Sequence, residues 1–275
     1  MALSNITLTS SSRANLLSLQ TTSEQLGLTQ ERLATGKKVN SAIDNASAFF
    51  KSQSFLNRAS DLSTIKDDLS TSLQTVKAAS NAIDGITKIV EQAKGLANDA
   101  LQKAAASTDR STLATKFNEL RDQLDSLVND ATFNGVNLLK SSASLVVKFN
   151  EDNTSTLSIA GVDLSTGSSG LNISAAANGF SADSDINTAL SQLTTALSTL
   201  RTNASSFGTN STLIQTRTDF TKVLVTTLRN ASDSLVLADI NEEGANLQSL
   251  QARLQLGITA LSISGQQQSA ILKLF

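Results

Sequence analysis

Read from Phe55 in steps of seven, the chain places Phe55, Leu62, Leu69, Val76, Ile83, Val90 and Ala97 in one series. Starting three residues later gives Arg58, Ile65, Ser72, Ala79, Ile86, Ala93 and Ala100. The first series is apolar throughout, and the second is mostly small or apolar. An apolar stripe held at heptad spacing predicts one long helix with a narrow buried face. At 1.5 Å per residue that helix measures roughly 65–70 Å, well beyond an ordinary globular helix. Its stripe cannot bury itself, so other long helices must lie beside it.

The same spacing recurs on both sides. After a turn near residues 101–110, Leu113, Phe117, Leu120, Leu124, Leu127 and Ala131 step alternately by four and three, with Asp109 or Ser111 as the expected cap. Ile186, Leu190, Leu193, Leu197, Leu200, Ala204 and Phe207 predict a third long helix. Gly208 interrupts it, and the stripe resumes one residue out of step at Leu213, Phe220 and Leu224, as a stutter would leave it. The outer seam is therefore expected to hold Leu62, Leu69, Val76, Ile83, Val90, Leu120, Leu124, Leu193, Leu197 and Leu200.

The two ends repeat the pattern more sparsely. Leu19, Leu26 and Leu33 recur at seven within a helix predicted over residues 3–35. Ile240, Leu247, Leu254 and Leu261 do the same near the other end, with Leu250 between, and Phe275 rejoins the series. Each end carries one stripe on a Ser-, Thr- and Gln-rich helix of middling propensity, so neither is stable alone. Leu19, Leu26, Leu33, Ile240, Leu247, Leu250, Leu254 and Leu261 form the expected assembly seam, which orders as copies come together.

Between residues 144 and 178 the period falls to two. Leu145, Val147 and Phe149 alternate, Glu151-Asp152-Asn153-Thr154 reads as a turn, and Leu157 and Ile159 alternate again, predicting a β-hairpin. Ser165-Thr166-Gly167-Ser168-Ser169-Gly170 reads as a flexible exposed loop.

Composition removes chemistry rather than adding it. Lys and Arg number 22 against 24 for Asp and Glu, a net charge of −2, which argues for no nucleic-acid or anionic-membrane partner. His and Cys are both 0, so the commonest general base and the usual zinc ligands are missing. Pro is 0, which removes the main helix breaker and the slow isomerisation that comes with it. The tightest carboxylate groups, Asp67-Asp68, Asp183 with Asp185 and Glu242-Glu243, read as solvated helix faces and caps rather than acid–base or Mg²⁺ sites. The expectation is no enzyme, no metal and no cofactor. The first residues, MALSNITLTSSSR, lack a basic segment followed by an apolar core, so export is expected without a cleaved signal.

Three motifs carry a resemblance. In Leu33-Ala34-Thr35-Gly36-Lys37-Lys38-Val39-Asn40-Ser41-Ala42-Ile43-Asp44-Asn45-Ala46, Gly36 ends a helix, Lys37 and Lys38 sit at its negative end, and Asn40, Ser41 and Asp44 are candidate caps for the next. This run resembles the N-terminal signature of bacterial flagellins, with Thr35 for the usual Ser and Asn45 for the second Asp. Thr132-Phe133-Asn134-Gly135-Val136 resembles the turn that follows the second outer-domain helix of that family. Ser232 to Asp239 and Gly265 to Phe275 resemble its C-terminal segments, except that the Pro frequent there is absent.

The resemblance implies a mainly α protein, a long-helix coiled-coil rod with inner and outer helical domains and a small β-hairpin element. Residues 1–40 and 237–275 would be the two arms of the inner domain, and 41–236 the outer domain. It lacks the large extra outer domains that many flagellins carry. The implied function is the subunit of the flagellar filament, exported unfolded and added at the far tip of an extracellular homo-polymer. Implied partners are the export apparatus, an export chaperone, the filament cap and the hook-junction proteins. A hook–filament junction adaptor is the runner-up. Flagellins are often O-glycosylated, and Thr154, Ser155, Ser165, Thr166, Ser168 and Ser169 are the candidate positions.

Overall fold

A computed structural model describes residues 10–272. In chain order it contains α1 (Ser10–Thr35), α2 (Ala46–Leu101), α3 (Thr108–Asp130), β1 (Ser144–Lys148), β2 (Thr156–Ala160), one 3-10 turn at Ala177–Phe180, α4 (Asp183–Val236) and α5 (Ile240–Leu272). The protein is mainly α with one two-stranded antiparallel sheet. Residues 3–9 of the first predicted helix, and Phe275, lie outside the described residues. The contacts divide the chain into two compact units. One holds the described residues up to Asn57 and those from Thr227 on; the other is Arg58–Thr226.

In the unit Arg58–Thr226, α2, α3 and α4 share one apolar core. Leu69, Val76, Ile83 and Val90 from α2 are buried with Phe117 and Leu124 from α3 and with Leu193, Leu197 and Leu200 from α4. Leu62 is buried as well, and Leu120 is half-buried. Three helices can present heptad stripes to one another in this way because each stripe covers the narrow face of the next. The second series along α2 begins differently from expectation. Arg58 is exposed and donates to Glu151 at 2.9 Å, and Ala59 takes the buried position. From Ala79 onward, Ala79, Ile86, Ala93 and Ala100 are buried as the spacing requires.

The interruption expected in α4 is corrected. The helix runs unbroken through Gly208, and Leu193, Leu200, Phe207, Ile214 and Thr221 are buried at a constant spacing of seven. Leu213 is 40% exposed and Phe220 59%, whereas Ile214 is 0%. No stutter exists. Thr221 occupies a seam position with its hydroxyl donated to Arg217 O at 2.9 Å, so a scan for apolar residues passes over it.

Two caps differ from expectation. Ser107, not Asp109 or Ser111, caps α3 and accepts from the Arg110 N–H at 3.3 Å. Asn45 caps α2 through the Ala48 N–H at 3.0 Å, while Asp44 turns back to Asn40 and Ser41. Cap choice depends on which φ/ψ the preceding turn leaves, and sequence spacing alone does not fix that.

Beyond α3, Asn134 (φ 49°) and Gly135 (φ 78°) form a tight turn between Phe133 and Val136. Both central residues have positive φ, the reason Asn-Gly is favoured there. The hairpin pairs Leu145 with Ile159 and Val147 with Leu157, with Val147 and Ile159 buried. The segment that follows is strapped across α3 and α4. Arg121 donates to Ile173 O at 2.8 Å, Ala176 N–H to Asn118, and Gln192 bonds both Ser174 N–H and its hydroxyl.

Candidate assembly surfaces

The helices α1 and α5 pack antiparallel within their unit. Ser12 Oγ meets Ser264 Oγ at 3.0 Å near one end, and Arg32 Nη1 meets Glu243 Oε1 at 3.0 Å near the other. Between them, Leu19 fills the space over Gly257, where an added Cβ would meet the Leu19 side chain at 2.8 Å. The stripe on α1 consists of Ser12, Leu19, Thr22, Leu26, Thr29 and Leu33; that on α5 consists of Glu243, Leu247, Leu250, Leu254, Gly257, Leu261 and Ser264. Of the expected assembly residues, Leu250 is buried and Leu19, Leu26, Leu33, Leu247, Leu254 and Leu261 are half-buried.

Ile240 is 52% exposed and lies outside the stripe that α5 turns to α1. It opens α5, and the last turn of α1 already faces Glu243 through Arg32 before the chain bends at Gly36. The hydrophobic scan also missed half the seam. Ser12, Thr22, Thr29, Glu243, Gly257 and Ser264 are small or polar. Their signal was position alone, since Ser12 lies seven before Leu19 and Gly257 seven after Leu250. Glu243, expected on a solvated face, is buried.

The bend is a hydrogen-bonded joint. Gly36 (φ 69°) closes α1 with its N–H on Arg32 O at 2.8 Å, the left-handed helix end its sequence predicts. Lys38 N–H then donates to Val236 O at 2.8 Å, and Ala238 N–H to Gly36 O at 3.0 Å. Lys38 Nζ reaches Ser234 O at 3.2 Å, and Asp239 caps α5 through the Asn241 N–H at 2.8 Å. Asp44 accepts from the N–H groups of Ser41 and Asn40 and from the Ser41 hydroxyl, which hold its carboxyl below the usual carboxylate range.

The remaining candidates lie in Arg58–Thr226. The loop Ser165–Gly170 exposes Gly167, Ser168 and Ser169 as expected, but it is tied down by hydrogen bonds on its inner side. Thr166 is 3% exposed, its N–H and hydroxyl both bound to Asp125 at 2.7 and 2.6 Å. Ser165 N–H and the Ser169 hydroxyl bind Asp163. Gly170 packs so closely on Ser165 O that no Cβ fits. Thr166 therefore leaves the set of accessible hydroxyls. Thr154 and Ser168 are exposed, Ser155 and Ser165 are half-buried, and the exposed Ser169 is engaged with Asp163. Among the carboxylates, Asp67 lies 3.3 Å from Lys66, Asp185 accepts from Asn178, and Asp183 binds Arg110. Among the described residues, no group of three or more His, Cys, Asp and Glu is placed to hold a metal ion, and no helix is long and apolar enough to cross a membrane.

Long seamed helices with a small hairpin in one unit, and end helices paired through a thin and partly polar stripe in the other, place the fold in the long-helix class. Residues 6–144 match the family profile of the bacterial flagellin N-terminal helical region. The flagellins FljO and FljN of Caulobacter vibrioides are 32% identical over 275 residues and 34% identical over 276, in each case across 100% of both chains. A flagellin of Brucella melitensis is 28% identical over 282 residues, 99% of each chain. A crystal structure of Bacillus cereus flagellin is similar over 56% of this chain and 88% of that one, at 16% identity and a TM-score of 0.49. The chain belongs to the bacterial flagellin family, and its role is that of a structural subunit of the flagellar filament in motility. These matches do not favour a hook-junction adaptor.

Proposed function

We propose that the chain is exported unfolded, without loss of a signal peptide, and is added at the far tip of the filament under its cap. The export apparatus, a chaperone and the hook-junction proteins are its other partners, and it performs no catalysis. Residues 1–40 and 237–275 act as inner arms, and 41–236 as the outer domain. The observation that carries this reading is the outward apolar content of the end helices. Leu17 is 65% exposed, Leu256 70%, and Leu28, Ile258 and Ile263 about half. Ordering each residue costs roughly 1–2 kcal/mol of backbone entropy, and a single two-helix seam recovers little of it. Further copies supply the missing surface, through contacts that are heterologous and open-ended, as a filament requires. Thr154, Ser155, Ser165, Ser168 and Ser169 are the hydroxyls on which a glycan would be carried, the buried Thr166 being set aside.

Deleting everything after Ala238 tests this. Arg58–Thr226 should keep its helicity and melting behaviour, since its core loses nothing, and polymerisation from seeds should vanish. Leu247→Ser with Leu254→Ser should have the same effect at full length. Filaments grown from the truncated chain would show that assembly is driven from the outer domain instead.

A further inference from the structure

Asparagine precedes glycine twice in this chain, at Asn134-Gly135 and at Asn178-Gly179. This pairing is the most open to self-cyclisation, because glycine has no side chain to shield the backbone nitrogen that attacks. The surroundings of the two differ. Asn134 and Gly135 are both exposed, and a Cβ on Gly135 would meet nothing within 4 Å. The Asn134 carboxamide has no hydrogen-bond partner among the described residues. Its turn is closed by Phe133 N–H on Val136 O and Val136 N–H on Phe133 O, each at 2.9 Å. Asn178, by contrast, donates from Nδ2 to Asp185 Oδ2 at 3.3 Å, Gly179 is half-buried, and the corner runs on into the buried Phe180. Asn153 (φ 54°) and Asn172 (φ 53°) are exposed and share the left-handed backbone, but Thr154 and Ile173 follow them.

We propose that Asn134 is a site of spontaneous modification, at which the chain deamidates its own Asn134-Gly135 turn without an enzyme. Local opening of the exposed turn frees the Gly135 nitrogen to swing toward the Asn134 side chain. That nitrogen gives its proton to solvent base and bonds to Cγ. The Cγ–Nδ2 bond breaks, and Nδ2 takes a proton from water and leaves as ammonia. The succinimide ring so formed then adds one water. Attack at Cγ restores the main chain with aspartate at position 134; attack at the main-chain carbonyl gives isoaspartate. Nothing is oxidised or reduced, and either product adds one negative charge. Isoaspartate also routes the backbone through Cβ, which lengthens the tight turn by one bond and parts Phe133 from Val136. The lengthened turn leads into the residue that finishes α3: Asn137 Nδ2 donates to Val128 O at 2.7 Å, and its Oδ1 accepts from the Leu139 N–H at 2.9 Å.

The test incubates the full-length protein, folded and in urea, at neutral and mildly alkaline pH. Each asparagine is followed by peptide mass mapping, and isoaspartate by enzymatic methylation of its carboxylate. In urea, Asn134 and Asn178 should convert at similar rates, since both precede glycine. In the folded chain Asn134 should convert several-fold faster than Asn178, Asn153 or Asn172, and faster still at the higher pH, with isoaspartate among the products. Asn134→Gln, whose longer side chain must close a larger and slower-forming ring, should lose the product. A folded-state rate at Asn134 no higher than at Asn153 would overturn the site. Aspartate with no isoaspartate would rule out the cyclic route. Equal folded-state rates at Asn134 and Asn178 would remove the contrast in surroundings on which the assignment rests. In the isoaspartate fraction, hydrogen exchange at the Phe133 and Val136 amides should be several-fold faster than in fresh protein. Unchanged exchange there would overturn the effect on the turn.

Discussion

Arg110 Nη2 stands 2.6 Å from Asp183 Oδ1, tying the first turn of α3 to the first turn of α4. The arginine is 3% exposed, whereas the aspartate side chain is 66% exposed. Arg110 Nε also donates to Lys103 O at 3.0 Å, and Nη1 to Ser181 O at 3.4 Å. The guanidinium gathers carbonyls from the two turns that flank α3 and α4. It also braces Asn178, Gly179 and Phe180, three successive residues at positive φ, of which Phe180 is buried edge-on against Phe117 at 5.2 Å. A bulky residue at positive φ is costly and persists only where its surroundings hold it there.

Removing that brace should be expensive. Arg110→Ala strands the carbonyls of Lys103, Phe180 and Ser181, the Phe180 one buried, and is expected to cost about 3 kcal/mol, read as a lower midpoint in urea unfolding of the Arg58–Thr226 unit. Asp183→Asn should cost about 1 kcal/mol or less, because the aspartate is largely in water and the arginine keeps its carbonyl acceptors. Equal losses for the two would mean that the ion pair, not the carbonyl network, holds this end.

The middle of the α2 seam offers a harsher test. Ile83 is 1% exposed in the shared core, and Ile83→Asp should cost of order 3–5 kcal/mol. Circular dichroism should show this unit melting at markedly lower temperature. A wild-type melting curve would mean that the three helices do not share the register described.

The unbroken phase of α4 makes neighbours behave oppositely. Ile214→Ala removes a fully buried side chain and should cost about 2–4 kcal/mol, while Leu213→Ala, at a half-open position, should cost under about 1 kcal/mol. Urea titrations of the two variants decide it. The reverse ranking would restore the one-residue stutter that the apolar pattern suggests.

Acid should loosen the turn before α2. The Asp44 carboxyl is held below its ordinary range by the Ser41 and Asn40 N–H groups and the Ser41 hydroxyl. A depressed folded-state pKa gives stabilisation that is complete above the unfolded value, roughly 3.9, and is lost as pH falls through the lower folded value. The Ser41 and Asn40 amide resonances should therefore shift with an inflection below that of a free aspartate. Asp44→Asn should abolish the shift. An inflection at or above the ordinary value would remove Asp44 as the turn's anchor.

Much of this protein follows from its apolar spacing. The stripe from Leu62 to Ala97, the stripe on α3 and the alternation of Val147 and Ile159 each had a single period, and burial on one face enforces a single period directly. Gly36 and Asn134-Gly135 were legible for a similar reason, because only a few residues tolerate the left-handed backbone.

What the pattern could not carry was any position filled by a polar or small residue. Ser12 and Glu243 between α1 and α5, and Thr166 under its loop, are buried where a specific partner distant in sequence meets each one. A polar group can be buried once its hydrogen bond is supplied, and that partner stands 252 residues away for Ser12 and 41 for Thr166. Arg110 is the extreme case, a charge taken out of water by carbonyls that the chain brings to it only when α2 has turned into α3 and the strap has returned to α4. Local spacing decided where the helices and their apolar faces lie. Only the tertiary structure decided which polar residues cross into the interior, since that depends on partners distant in sequence.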